Sequence, residues 1–412
     1  MLFTIFLLLF SPFAQAARPV HSSELRSLLE ARNEKVAGVS SAAEGAAGRS
    51  GSLVRSFLPE LSVYGSQERF RKGQAEWKTQ PSFGAEAMVS VFNGGRDGIY
   101  AEELSVRADR LKAESRVVVY EELLKAREAY WKILYYRDLL SLYRELEKEN
   151  ASSLQAAERR IRGGVATQSD RFEFEMKGLE IKQERGEAEV ALSILQREFA
   201  ALFGEELQGE LTFTEPLAHD HEWEALLRHG ELEHDFLSKP AELKAQEGSL
   251  AARRAARTWW PKVEAFAAWR QPNQLEENPL LARDRQEAVF GIRASVLLFD
   301  GGKGRVEGSA LTQEARGAQA LARYDHRQVE VEIHRETTEL RFLHSQVHEA
   351  EENITRAKKY HTLTQSEYSR GVKNSPDLIG ATEKLFTVRR KRLEILRDFQ
   401  VAKAHVLSII GR

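Results

Sequence analysis

Cysteine is absent from the chain, so stability has to come from packing or assembly rather than from disulfides. The same absence leaves no residue for a lipid anchor of the bacterial lipoprotein type. Beyond the first residues no stretch is apolar enough for a membrane-spanning helix, so any span of a bilayer has to be a β-barrel. A dominant charge sign is missing too: 60 basic and 62 acidic residues leave a formal net charge of −2. That balance gives no clustered basic surface for nucleic acid. Charged residues still make up 30% of the chain, a density that long solvated helices carry on their outer faces. Proline is missing over long stretches, with none between Pro81 and Pro216 or between Pro279 and Pro376. Interior proline costs about 3 kcal/mol in a helix, so these stretches permit very long helices.

What is present begins with a short apolar run, Met1 to Phe10, followed by Ala14-Gln15-Ala16. An apolar run of this length before an A-x-A pattern reads as a secretory signal peptide over residues 1–16, although its first residues lack Lys and Arg. The rest divides into two copies of one unit, 17–215 and 216–412. Phe92-Asn93-Gly94-Gly95 recurs as Phe299-Asp300-Gly301-Gly302, an offset of 207. With the same offset Leu104, Ala108 and Ala113 recur as Leu311, Ala315 and Ala320, and Gly164-Val165 and Asp170 as Gly371-Val372 and Asp377. Gly204 recurs as Gly411. Loops would have drifted over such a distance, so a constant register implies elements of fixed length.

Apolar residues in the proline-free stretches recur at helical spacing, as in Leu123, Ala126, Tyr130 and Ile133, then Leu139, Leu142 and Leu146. Residues 97–162 therefore read as one helix which, at ~1.5 Å per residue, would be roughly 100 Å long. Its copy is expected at 304–369. Gly164 and Gly371 end these helices, and return helices follow at about 169–203 and 376–410, giving antiparallel hairpins at about 97–203 and 304–410. Ser375-Pro376-Asp377 reads as N-cap, N1 and N2 of the second return helix; Thr167 or Ser169, with Asp170, fills that role in the first.

Before each F-x-G-G the period changes to two. Strands are expected at about 58–67, 84–93, 260–270 and 288–300, the first and third starting near Pro59 and Pro261. Ala85, Ala87, Val89 and Val91 share one face, while Ile292, Ala294, Val296 and Leu298 alternate with Gly291, Arg293 and Ser295. Half-apolar alternation over about ten residues is the signal of a membrane barrel strand. The polar segments 68–82 and 271–287 would be outer loops, and Trp77, Trp259, Trp260 and Trp269 could join an interfacial girdle. Four strands cannot close a barrel, since about eight is the practical minimum. Several chains would have to share one.

With these elements in place the chain resembles the TolC-like outer-membrane efflux proteins. The resemblance covers about residues 22–412. It rests on the strand-to-helix turns Phe92, Gly94, Gly95 and Phe299, Gly301, Gly302, and on the tips Gly164-Val-Ala-Thr-Gln-Ser-Asp170 and Gly371-Val-Lys-Asn-Ser-Pro-Asp377. It implies a mainly α protomer built from a duplicated helix–strand–strand–hairpin unit. Three such protomers would form a homotrimer with a shared twelve-stranded β-barrel in outer-membrane lipid and a coiled-coil tunnel in the periplasm. The implied function is passive export within a tripartite efflux or type I secretion system, with a periplasmic adaptor and an inner-membrane pump as partners. A non-pore periplasmic adaptor or scaffold is the alternative, although an adaptor would carry one hairpin rather than two. Asp170 and Asp377 match acidic tip positions that narrow the periplasmic mouth, and Lys373 stands where the family can carry a basic partner. An Asp170–Lys373 pairing is therefore expected to help hold the tip shut, unless both acids only cap helices. Gly380 falls where a second acidic position is found, so a double acidic ring is not expected.

Gly94-Gly95 and Gly301-Gly302-Lys303-Gly304 lack the full phosphate-loop or dinucleotide patterns. His219-Asp220-His221 and the pair His344 and His348 have no third ligand at sensible spacing. No catalytic constellation stands out, so no enzyme activity, cofactor or metal is expected.

Overall fold

The computed structural model describes residues 19–52, 58–71, 76–204, 212–213, 215–220, 235–272 and 287–411. The expected signal peptide at 1–16 lies outside them, as do 72–75 and 273–286 of the expected outer loops. In chain order the elements are β1 (Pro19–Val20), α1 (Leu25–Arg32), α2 (Glu34–Ser52), β2 (Glu60–Phe70), β3 (Lys78–Asn93), α3 (Arg96–Arg162), α4 (Gln168–Ala201), β4 (Thr212–Phe213), α5 (Asp235–Ala256), β5 (Lys262–Pro272), β6 (Glu287–Ser295), α6 (Lys303–Ser369) and α7 (Ser375–Ile409). No helix among the described residues is long and apolar enough to cross a membrane.

Helices α3 and α6 each contain 67 residues, and both ends of α6 lie 207 positions after those of α3. The duplication is therefore structural as well as sequential. The residues that announced α3 are its core: Leu123, Ala126 and Tyr130 are fully buried, and Ile133, Leu139, Leu142 and Leu146 are nearly so.

The chain forms two compact units. The first holds α1, the tip-proximal parts of α3 and α6, and all of α4 and α7. Its main core packs Tyr135, Leu139, Leu142, Tyr143 and Leu146 of α3 against Ile181 of α4, Val347 of α6, and Phe386 and Leu396 of α7. Each such side chain contributes on the order of 1.5–3 kcal/mol by leaving water. Beside this core β1 pairs in parallel with β4, Val20 opposite Phe213. Tyr130 locks the pair in place: its ring lies 5.4 Å from that of Phe213, and its hydroxyl donates to the Val20 carbonyl at 3.1 Å.

The second unit contains one antiparallel sheet in the order β2-β3-β5-β6. Pro59 and Pro261, which have no N–H to donate, sit just before β2 and β5 and fix where pairing begins. The last residue of β6, Ser295, pairs with Lys262, the first of β5. This corrects the expected strand 288–300: the register ends at that pair, where β5 is preceded by Pro261, which has no N–H to donate. A second correction concerns the supposed loop 68–82, because β2 reaches Phe70 and β3 starts at Lys78. A third concerns Val91. A bulge between Ser90 and Phe92 puts Phe92, not Val91, opposite Val263, as an inserted residue must.

Candidate functional site

Directly paired residues share a face of a sheet, so the register assigns both faces. One carries Leu61, Val63, Phe83, Ala85, Ala87, Val89, Ala265, Ala267, Trp269, Phe290 and Ile292. It is apolar throughout this stretch, yet Val63 is 81% exposed, Ile292 75% and Phe290 88%. The other face carries Ser62, Tyr64, Ser66, Ser82, Glu86, Ser90, Glu264 and Arg293. Among its apolar members is Phe266, and the Arg293 guanidinium lies 4.9 Å from the centroid of that ring. Strands β2 and β6 have only one partner each among the described residues, so each presents an open edge. Of the tryptophans, Trp269 stands on the apolar face. Trp259 and Trp260 are exposed where α5 meets β5, and exposed Trp77 lies under the Arg69 guanidinium.

At the strand-to-helix turns Gly94, Gly95, Gly301 and Gly302 all have positive φ. A Cβ at Gly94 would lie 2.5 Å from Cβ of Trp260, so both conformation and space call for glycine there. Asp300 accepts from the N–H groups of Gly302 and Gly304 at 2.9 and 2.7 Å and thereby satisfies the start of α6. In the first copy the Asn93 amide donates to Asp97 at 3.0 Å. Phe92 and Phe299 are both exposed.

The tips repeat the same construction. Gly164 and Gly371 close α3 and α6 in the left-handed conformation. Val165 N–H reaches the Arg160 carbonyl and Gly164 N–H the Ile161 carbonyl, each at 3.0 Å, which is a Schellman cap. The positive-φ residues of the described chain are eight glycines in four pairs 207 apart: 94 and 301, 95 and 302, 164 and 371, 204 and 411. Helix α4 opens with Thr167 as N-cap and Asp170 at N3, whose Oδ2 accepts from the Thr167 N–H and hydroxyl at 2.8 and 3.0 Å. Helix α7 opens with Asn374 as N-cap, not Ser375, because the capping box needs its acid at N3. Asp377 supplies it, accepting from Asn374 N–H at 3.3 Å while its own N–H donates to Asn374 Oδ1 at 3.2 Å.

Within the protomer Asp170 and Lys373 do not pair with each other. Asp170 Oδ1 instead accepts the Ser375 hydroxyl at 2.7 Å, which joins the two tips. Lys373, just before the N-cap of α7, lies 3.7 Å from Asp377 in the first turn of that helix, an exposed pair of small value. Burial works against ionisation of Asp170, but hydrogen bonds from Thr167 and Ser375 outweigh it and hold the carboxyl below its ordinary value. Burial, followed by the neighbouring Asp170, pushes Glu173 up.

Sequence reasoning missed three participants. Arg160 lies 4.2 Å from the centroid of the Tyr368 ring and donates to the carbonyls of Lys373 and Val165 at 3.5 and 3.4 Å. Ser375 supplies the cross-tip bond. Glu173 is the first-copy counterpart of Gly380 at the same offset of 207, a signal the repeat itself contained. Beneath the tips Ala157, Phe174, Tyr368 and Leu378 form a small core.

Two helices carry apolar seams that their own chain leaves uncovered. On α4 Phe172, Met176, Leu179, Val190 and Ile194 are exposed; on α6 Leu321, Tyr324, Val331, Phe342, Tyr360 and Leu363 are. The steps are 4, 3, 11 and 4 residues along α4 and 3, 7, 11, 18 and 3 along α6, each close to a whole number of helical turns, so each set follows one side of its helix as in a coiled-coil seam. The His219 and His344 rings stand 5.9 Å apart, and no group of three metal-ligating side chains exists among the described residues. His221 lies outside those residues.

No protein-family model matches the sequence, and no curated protein matches it. Solved structures match its fold over almost its whole length. CusC, whose crystal structures concern transmembrane channel formation, aligns with a TM-score of 0.82 at 12% identity, covering 95% of this chain and 92% of its own. The outer membrane protein VceC of Vibrio cholerae gives 0.81 at 14% identity, with 95% and 96% covered. The open-state MtrE outer-membrane channel of Neisseria gonorrhoeae gives 0.77 at 13% identity, with 95% and 88% covered. The chain thus has the fold of the TolC-like outer-membrane channels.

Proposed function

We propose that this chain is one protomer of a homotrimeric outer-membrane channel that conducts substrates passively from the periplasm to the exterior. The observation that carries the reading is the sheet, with one apolar and exposed face, one largely polar face and two open edges. In lipid an open edge leaves backbone groups unsatisfied, and in water an apolar face of this size is unusual. Closing three such sheets into twelve strands removes both difficulties, with the apolar face against lipid and the polar face lining the lumen. The uncovered seams of α4 and α6 support the same assembly, because neighbouring copies in a closed ring would cover them.

The tunnel would serve an efflux or type I secretion system, joined by a periplasmic adaptor and an inner-membrane pump. Asp170, Lys373 and Asp377 would border the periplasmic mouth. Nothing in the chain selects a substrate class, in keeping with a conduit whose selection is made upstream. The deciding experiment is single-channel conductance of detergent-extracted protein in a planar bilayer, with oligomer mass measured in parallel. Discrete conductance from a trimer is expected; a soluble monomer that never inserts would leave a periplasmic scaffold instead.

A further inference from the structure

Two histidines of the first unit each bridge the same three helices. His405 of α7 points Nε2 at Glu128 Oε1 of α3, 3.1 Å away, and Nδ1 at Glu336 Oε2 of α6, 3.9 Å away. A neutral imidazole has one N–H and one lone pair. With a carboxylate at each ring nitrogen, only the imidazolium meets both sides favourably. Glu336 is buried, its side chain 6% exposed, so its charge is poorly served by water. At the second position His361 of α6 lies 2.6 Å from Glu149 Oε1 of α3, and the same Nε2 is 3.2 Å from Thr382 Oγ1 of α7. Between the two bridges runs a cavity of about 460 Å³ lined by Asp138 and Glu145 of α3, Glu351 and Lys358 of α6, and Arg389 and Arg392 of α7.

The geometry points to a proton-operated clamp at His405: its protonation fastens α3 of the first repeat to α6 and α7 of the second. This rests on the channel reading only for its consequence, that the helices leading to the tips are held more firmly as the periplasm acidifies. The charged groups around His405 fit such a role. From α3 Glu128 faces it, itself held by Lys132 at 2.9 Å. From α6 come Glu336 and Glu332, with Arg335 2.8 Å from Glu336. The hydrogen bond to Glu128 raises the imidazole above its ordinary 6.5, against the opposing effect of burial. The same bond, seen from its other end, holds Glu128 down at about 2.

The direction with pH follows. A group whose proton is bound more tightly in the fold stabilises fully below its unfolded pKa and loses that contribution as pH rises through the folded value. The clamp at His405 should therefore be complete below about pH 6.5 and be lost as pH rises through the raised value of the folded state. Glu128 remains ionised throughout that change.

Thermal unfolding of the full-length purified protein at pH 6 and pH 8.5 tests this. The drop in midpoint between the two is expected to shrink by roughly 2–4 °C in His405→Gln. Exposed His334→Gln, as a control, should retain the full drop. If His405→Gln does not fold, Glu128→Gln provides the second route and should reduce the drop in the same way. An unchanged pH profile in these variants would overturn the clamp. The readout needs no conductance, so failure of the channel reading and failure of the clamp are separable. Where conductance is seen, openings of the wild type should lengthen from pH 6 to pH 8.5, and those of His405→Gln should not.

Discussion

Ser375 donates its hydroxyl to Asp170 Oδ1 at 2.7 Å across 205 residues of sequence, and this bond ties the tip of one hairpin to the tip of the other. The same carboxylate caps α4 through Thr167. Asp170 is thus both a helix cap and a bridge between repeats.

Asp170→Ala should therefore do two things that Ser375→Ala does not do together. Loss of the cap is expected to cost about 0.5–2 kcal/mol and to speed hydrogen exchange over the first turn of α4. Loss of the bridge should loosen the start of α7 as well. Ser375→Ala should affect only the bridge. Because the Asp170 carboxyl is held below its ordinary 3.8, its contribution is present above that value and fades as pH falls through the depressed one. Exchange measured at pH 5 and pH 3 checks the sign.

Lys373→Glu sets a second carboxylate beside Asp377, where a contact of 3.7 Å now joins opposite charges. If the chain forms the proposed trimeric channel, the expected result is a raised leak conductance. A leak indistinguishable from wild type would mean that the acids at the tips only cap helices.

Ser62 and Val63 are consecutive residues of β2 on opposite faces of the sheet. On the proposed channel reading Val63→Lys should suppress assembly into membranes, since a lysine on a lipid-facing barrel position costs up to about 2–4 kcal/mol. Ser62→Lys should insert normally and alter conductance instead. The fraction of protein in the membrane-embedded, heat-labile oligomer distinguishes the two.

Tyr130→Ala would leave a cavity among Phe199, Phe213 and Trp131 and free the Val20 carbonyl. A loss of about 3–5 kcal/mol is expected from the emptied volume, read as a lower midpoint in denaturant. Gly94→Ala should also destabilise, by more than about 1 kcal/mol, because its positive φ and the Cβ of Trp260 both oppose a side chain.

The long helices were legible to within one residue at Arg162 and Ser369, because each runs without proline and stops at a glycine in a known conformation. Strand starts at Pro59 and Pro261 were nearly as plain. The bulge at Val91 was not, since alternation in one strand does not reveal an inserted residue until its partner is paired. The cap of α7 was misplaced by one residue because Ser-Pro resembles N-cap and N1, whereas the reciprocal bond to Asp377 requires Asn374. Arg160 gave no local sign at all. Its partners Tyr368 and the Lys373 carbonyl come from the other repeat, over 200 residues away. The site was readable where it depends on neighbours in sequence and hidden where it depends on neighbours in space.

The eight glycines paired at 207 have a consequence for symmetry. In the trimer proposed above, three copies of the doubled chain would present six nearly equivalent tips around one axis, a pseudo-sixfold ring. Side chains break it back to threefold: Thr167 alternates with Asn374, Glu173 with Gly380, and Ala166 with Lys373. A docking protein built on sixfold geometry would find backbone turns of one shape at every station. One that reads charge would find only every second station occupied by the same residues, so its stoichiometry would report which of the two it recognises.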